Sequence, residues 1–147
     1  MDLTWHVRTF AELTTTELYA IMALRQRVFV VEQKCPYLDA DDIDQVSTHL
    51  WAEHDGAIAA YLRIVPAGAK FDQVSIGRVI TAPDARGTGL GRELMKRGIA
   101  QAGAVPIRVA AQAHLEKFYR ELGFAPIGEV YEDDWIPHVD MVKPASP

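Results

Sequence analysis

The segment Val79-Ile80-Thr81-Ala82-Pro83-Asp84-Ala85-Arg86-Gly87-Thr88-Gly89-Leu90-Gly91-Arg92 restricts the folds open to this chain more than any other. Val79 to Thr81 close a β-branched run that begins at Val74, the composition of a strand. Beyond Pro83 the spacing changes, and Leu90, Leu94, Met95, Ile99 and Ala102 recur as on one face of a helix that stops near Gly103. A strand that enters a helix through a glycine-rich turn leaves the N–H groups of the first helical turn unpaired, with the positive end of the helix dipole behind them. Glycine also lets a ligand approach that backbone closely. The turn is therefore an anion site, and a pyrophosphate is its natural guest. Pro106 to Ala111 reads as the next strand, so Val74 to Ala111 is expected to form a right-handed parallel crossover.

The flanking segments place this unit in a mixed α/β architecture. Trp5 and Val7 alternate with His6 and Arg8 in a short first strand. Thr14 and Glu17 form a capping box, and Leu18, Ile21, Met22, Arg25, Val28 and Phe29 follow at helical spacing, which predicts a helix from about Thr15 to Val30. From Cys35 to Asp44 the periodicity is lost, and the stretch reads as a long loop. His49–Glu53 and Ile58–Val65 flank the hairpin turn Asp55-Gly56, and a break from Pro66 to Asp72 leads into Val74–Thr81. Leu115, Phe118, Tyr119 and Leu122 mark a further helix stopped by Gly123, and Phe124–Tyr131 and Ile136–Val142 are expected as closing strands. The fold class is thus a mixed, mostly antiparallel central sheet with helices on both faces and one parallel β-α-β crossover. Residues 1–147 show no repeat or linker and are expected to form a single domain, with a mobile tail from Lys143 to Pro147.

Composition excludes several functions. A net charge of -5 and scattered Lys and Arg do not make a nucleic-acid surface. No stretch approaches the ~20 apolar residues of a membrane span, and Met1–Phe10 lacks the order of a secretory signal. Cys35 is the only cysteine, which rules out an internal disulfide and fits a reducing compartment, so a cytoplasmic location is expected. The histidines do not make a metal site by spacing. Asp39, Asp41, Asp42 and Asp44 lack the glycine of a calcium loop, and a solvated acidic loop is favoured over one that attracts a cationic acceptor.

Three phosphate loops can be told apart. A P-loop needs Gly-Lys-Ser/Thr, but Gly91 is followed by Arg92 and Glu93. The dinucleotide fingerprint needs G-x-G-x-x-G and a later acid, where this chain has G-x-G-x-G and Ala110-Ala111. The third, Arg/Gln-x-x-Gly-x-Gly/Ala between strand and helix, is met by Arg86, Gly89 and Gly91, and resembles the coenzyme A pyrophosphate loop of the GNAT acetyltransferases. Gln112 to Phe124 is similar to that family's Asn-x-x-Ala-x-x-Leu-Tyr-x-x-x-Gly-Phe segment, with Tyr119 and Gly123-Phe124 matching and Gln112 at the asparagine position. Arg25–Gln33 with Cys35-Pro36-Tyr37, Gly128–Tyr131 and Ile136-Pro137-His138 resembles the ElaA-like branch.

The resemblance implies a single-domain N-acetyltransferase that passes the acetyl group of acetyl-CoA to a primary amine of a small molecule or protein by direct attack, without a metal. It implies that Arg86, Gly87, Thr88, Gly89, Leu90, Gly91 and Arg92 hold the diphosphate, and that the backbone of Val79, Ile80 and Thr81 pairs with the pantetheine arm. The parallel neighbour would splay away, Gln112 would line the cofactor site, and a main-chain N–H near Val79 or Ile80 would face the thioester carbonyl. Tyr119 is implied as general acid toward the departing thiolate.

For the base, Glu32 in the apolar run Phe29-Val30-Val31 is the first choice, on the expectation that partial burial raises its pKa. The other reading of Glu32 is a helix-end carboxylate paired with Arg25 or Arg27. His49, His114 and His138 are lesser candidates, each more often structural. Cys35 is taken as structural. Arg78 either lines the acceptor pocket or meets solvent, and Trp51, Trp135, Tyr37 and Tyr131 are candidates to wall that pocket. Two other functions stay open: a non-catalytic acyl-CoA-binding domain, and an acyl-homoserine-lactone-synthase-like enzyme, suggested by the Arg-x-x-Val-Phe helix. A homodimer is left open.

Overall fold

Thr14 opens the first helix as its sequence requires, its hydroxyl accepting from Glu17 N while the Glu17 carboxylate accepts from Thr14 N. In the computed structural model, which describes residues 2–146, this helix α1 spans Thr15–Arg25 and continues as a π-helical segment, Gln26–Glu32. The turn structure therefore runs two residues past the expected end at Val30. Pro147, at the end of the tail expected to be mobile, lies outside the described residues, and so does Met1. Lys143, the start of that tail, instead ends a strand and pairs with Ile107.

The strands are β1 (Thr4–Thr9), β2 (Thr48–His54), β3 (Ala57–Val65), β4 (Val74–Thr81), β5 (Ile107–Gln112), β6 (Ala125–Pro126), β7 (Tyr131–Asp133) and β8 (Ile136–Lys143). The other helices are α2 (Leu90–Ala102) and α3 (Glu116–Glu121), α3 being preceded by a tight turn at Ala113–Leu115. The sheet order is β1-β2-β3-β4-β5-β8-β6, with β7 paired to β8. Among the described residues only β4 and β5 are parallel, as the crossover around α2 demands. The β2–β3 hairpin turns at Asp55-Gly56, with φ of 49° and 76°, as the Asp-Gly signal predicts. No helix of the described residues is long and apolar enough to cross a membrane.

Alternation along the strands divides the core in two. Leu50 and Leu62 face α2, packing with Leu94, Met95 and Ile76, whereas Trp51 and Tyr61 face α1, with Ile21, Leu24 and Val28. Helix α2 comes so close to β3 that a Cβ on Gly98 would lie 2.7 Å from Leu62 Cδ2. Trp51 is 1% exposed in this core, so the expectation that it could wall the site is corrected.

Two further expectations are also corrected. The strand expected over Phe124–Tyr131 is broken: β6 ends at Pro126, Gly128 has φ of 84°, and pairing resumes only at Tyr131. The Asp39–Asp44 loop is not a solvated acidic loop. Asp39 and Asp44 are buried, and with Asp41 they form a ring of ion pairs with Arg25 of α1, Arg63 of β3 and Arg78 of β4. Arg25 bonds Asp39 at 2.8 Å and Asp44 at 2.6 Å; Arg63 bonds Asp41 at 2.6 Å and Asp44 at 2.9 Å. Burial alone would raise the Asp41 and Asp44 carboxyls, but the arginine hydrogen bonds outweigh it and hold both below the usual carboxylate range. Three arginines far apart in sequence project onto one face, and each carboxylate is satisfied by two of them.

Candidate active site

Strands β4 and β5 pair only at Val74–Ile107 and Ser75–Arg108. Beyond that the two strands diverge, and the β5-facing edge of β4 leading to the glycine turn has no strand partner among the described residues, its other edge staying paired to β3. The opening widens into a cleft of about 550 Å³, a size that suits a small ligand. Its lining comes from the π-helical segment, the 33–37 segment, β4, the start of α2, the end of β5, α3 and the β7–β8 hairpin.

A bulge lies in the middle of the β4 wall. Tyr61 faces Ile80 and Arg63 faces Gly77, so Leu62 alone opposes the pair Arg78-Val79. Arg78 has φ of 51°. The extra residue reverses the alternation, because Ile76 packs on the α2 side and Ile80 on the α1 side although they are four apart. It also takes main-chain groups of Arg78 and Val79 out of the regular ladder.

At the end of β4, Gly87 and Gly89 have φ of 78° and 82°, and Gly89 caps α2 with no side chain covering the helix end. Gly91 is needed for another reason: a Cβ there would lie 3.2 Å from Thr81 Oγ1, so the first helical turn sits directly against the strand end. The side chain of Leu90 is buried in the core, which leaves only its backbone for a ligand. The Thr88 hydroxyl donates to Ala85 O at 2.7 Å and stiffens the turn. Arg92 lies over the Phe118 ring and reaches Glu121 at 3.4 Å. The bare helix end, the two left-handed glycines and the free strand edge fit a diphosphate and its extended arm.

Glu32 lines the cleft, as its predicted role requires, but without the burial expected for it. It is exposed, and its partner is neither Arg25 nor Arg27 but Arg86, which donates to its carboxylate at 2.6 and 3.0 Å. The Arg86 hydrogen bonds hold the Glu32 carboxyl below its ordinary value, opposite to the expected rise. The π-helical segment carries Glu32 over to the glycine turn, while Arg25 points into the buried ring.

Tyr119 lines the cleft at 6% exposure, edge-on to Phe118 and Phe124, and its hydroxyl has no hydrogen-bond partner among the described residues. Burial pushes its pKa up to about 12. Gln112, at the end of β5, lines the cleft and donates from Nε2 to Gln33 Oε1 at 3.4 Å. Gly123 takes φ of 98° and returns the chain from α3, as its position after the helix predicts.

Among the histidines, His49 is buried between Tyr61 OH at 2.7 Å and Asp44 O at 2.9 Å, with burial first among the causes that lower its pKa. It is structural. His114 is exposed at the rim. His138 lines the cleft beside Gln112, its β5 partner, and stacks on Tyr131. Its Nδ1 lies 2.7 Å from Ile136 O. A carbonyl only accepts, so Nδ1 carries the proton and Nε2 of the neutral ring is left with the lone pair.

The cleft also includes residues that sequence reasoning missed. Asp133, Asp134 and Ile136 of the β7–β8 hairpin line the cleft, and Cys35 Sγ, buried, donates to Asp134 O at 3.1 Å, tying hairpin to loop. Tyr37 donates to Asp39 at 2.8 Å and lies under the Arg78 guanidinium. Burial, against the opposing Arg78 charge, raises the Tyr37 phenol. Trp135 is 70% exposed at the hairpin tip and does not line the cleft. The pairing of β7 with β8 brings this wall in, and the only sequence signal for it is the hairpin itself. Among the described residues no three His, Cys, Asp or Glu side chains gather as a metal site.

Residues 21–145 match the family model for an acetyltransferase (GNAT) domain. Protein ElaA of Escherichia coli strain K12 is 39% identical over 145 residues, covering 95% of each chain. The crystal structure of E. coli ElaA superposes with a TM-score of 0.91 at 37% identity, over 97% of this chain and 99% of that one. An acyl-CoA N-acyltransferase from Pseudomonas aeruginosa gives a TM-score of 0.93 at 44% identity, over 97% and 99% of the two chains. A CoA-dependent acyl-homoserine lactone synthase, BjaI, shares the fold alone, with a TM-score of 0.79 at 16% identity, and this chain covers 82% of it. The splayed strands, the glycine turn and these full-length likenesses agree, and the chain belongs to the GNAT acetyltransferase family with ElaA among its homologues.

Proposed function

We propose that the protein is an N-acetyltransferase that moves the acetyl group of acetyl-CoA to a primary amine by direct attack. The observation that carries this reading is the parting of β4 from β5 after two residue pairs, which leaves an open strand edge running into a bare helix N-terminus. The backbone of Val79, Ile80 and Thr81 then takes the pantetheine arm as an added strand. The amides from Arg86 to Arg92 hold the diphosphate, and Gln112 lines the opposite wall.

In this mechanism the acceptor enters as an ammonium ion and gives one proton to His138 Nε2, which takes the role first considered for Glu32. The neutral amine attacks the thioester carbon, and a main-chain N–H at the bulge stabilises the oxyanion. As the intermediate collapses, the C–S bond breaks, the nitrogen loses its second proton to solvent, and the thiolate takes the Tyr119 proton. A phenol at about 12 remains protonated across the working range, and a thiolate released into the same dry cleft is raised by the same burial.

Calorimetric titration with coenzyme A, followed by an acetyl-CoA turnover screen over polyamines, amino acids, aminoglycosides and lysine peptides, tests the reading. Gly89→Glu is expected to abolish CoA binding, and Tyr119→Phe to cut turnover about a hundredfold while CoA affinity holds. CoA binding without turnover of any amine identifies an acyl-CoA-binding domain instead.

A further inference from the structure

Arg78 differs from the other two arginines of the buried ring. Arg25 and Arg63 have side chains 1% exposed, with both Nη atoms of each bonded within the ring and the Arg63 Nε buried without a partner among the described residues, whereas the Arg78 side chain is 16% exposed and lines the cleft. Its Nε donates to Asp39 Oδ1 at 2.7 Å, and its Nη2 to Asp39 O and Asp41 Oδ2, both at 3.2 Å. Its Nη1 has no partner among the described residues. Tyr37 lies under the guanidinium, 5.7 Å from ring centroid to carbon, and is itself held by its bond to Asp39.

The backbone sets this orientation. On an unbroken strand Arg78 would share a face with Ile76 and point into the α2 core. The bulge, with φ of 51° at Arg78, turns it instead onto the face where Asp39 and Asp41 wait. A non-glycine residue in that region carries backbone strain, and such strain concentrates at functional sites. A cation that is already oriented and desolvated, with one donor arm unspent on a cleft wall, is prepared to bind an anion. Arg78 also adjoins Val79, whose main chain faces the thioester in the proposed mechanism. An anion held by Nη1 therefore belongs to the acceptor rather than to the diphosphate at Arg86 to Arg92. Asp133 and Asp134 on the hairpin wall give the cleft the opposite charge, a polarity that suits a zwitterion.

We infer that the acceptor is an amino carboxylate, and that Arg78 Nη1 binds its carboxylate so that its amine meets the thioester. This rests on the amine-acetyltransferase reading, and two measurements separate them. Free amino acids are compared with their methyl esters and decarboxylated amines as acceptors. In parallel, N-acetyl amino acids and the corresponding N-acetyl amines are titrated by NMR into the CoA-bound protein, which requires no turnover.

Expected are at least a tenfold preference in kcat/KM for the free acid, selective binding of the carboxylated product, and collapse of both preferences in Arg78→Lys, whose point charge cannot serve Asp39 and a ligand together. Equal turnover of acids and esters, or equal or absent binding of the two N-acetyl compounds, overturns the inference while leaving acetyl transfer intact. Selective carboxylate binding with no turnover overturns acetyl transfer and leaves the Arg78 site standing. If Arg78→Lys does not fold, the wild-type preferences alone decide.

Discussion

Both oxygens of the Glu32 carboxylate accept hydrogen bonds from the Arg86 guanidinium, joining the end of the first helix to the glycine turn on the far side of the cleft. Arg86 is thus held beside the helix N-terminus by a carboxylate that competes with any incoming phosphate for the same donors. Glu32→Gln is expected to tighten CoA binding and to leave turnover within about threefold, since loss of a general base costs about a hundredfold or more. Calorimetry and steady-state rates measure the two effects. A hundredfold fall in kcat would return the base role to Glu32.

His138→Gln keeps a polar side chain at the cleft wall but has no basic nitrogen. Turnover at neutral pH is expected to fall about a hundredfold, with KM for acetyl-CoA little changed. Activity should recover as pH rises, because more of the amine then arrives without its extra proton. A flat pH response at wild-type rate would show that water alone carries the proton away.

The ion-pair ring predicts an acid transition. Asp41 and Asp44 are held below their unfolded pKa, so their stabilisation is fully present above the unfolded value of about 3.9 and is lost as pH falls through the lower folded values. Urea midpoints should therefore hold down to about pH 4 and drop steeply below it. Asp44→Asn leaves Arg25 and Arg63 sharing one neutral amide, and a loss of about 3 kcal/mol is expected. A midpoint unchanged at pH 7 would show that the ring adds nothing to stability.

Gly98 predicts a packing effect far from the chemistry. Leu62 is fully buried and Ile76 Cδ1 lies 3.4 Å from the same added Cβ, so the leucine has no free space to enter. Gly98→Val is expected to destabilise by about 2 kcal/mol, a fall of roughly 4–8 °C in Tm for a domain of this size. A thermal melt checks it, and an unchanged Tm would mean that α2 can move away from β3.

Local sequence determined a great deal here. The capping box at Thr14, the Asp55-Gly56 hairpin, the strand ending at Thr81, the turn with Gly87 and Gly89, and the stop at Gly123 all depend on residues within a few positions of one another. Their backbone preferences act before any tertiary contact forms. Tertiary structure alone decided the partners of charges: Glu32 meets Arg86 rather than a helical neighbour, and the loop aspartates meet Arg25, Arg63 and Arg78 rather than water. It also decided how far β4 and β5 stay together, and therefore where the cleft opens. Coulomb attraction and desolvation depend on distance through space, and distance through space between residues tens of positions apart exists only once the sheet has assembled.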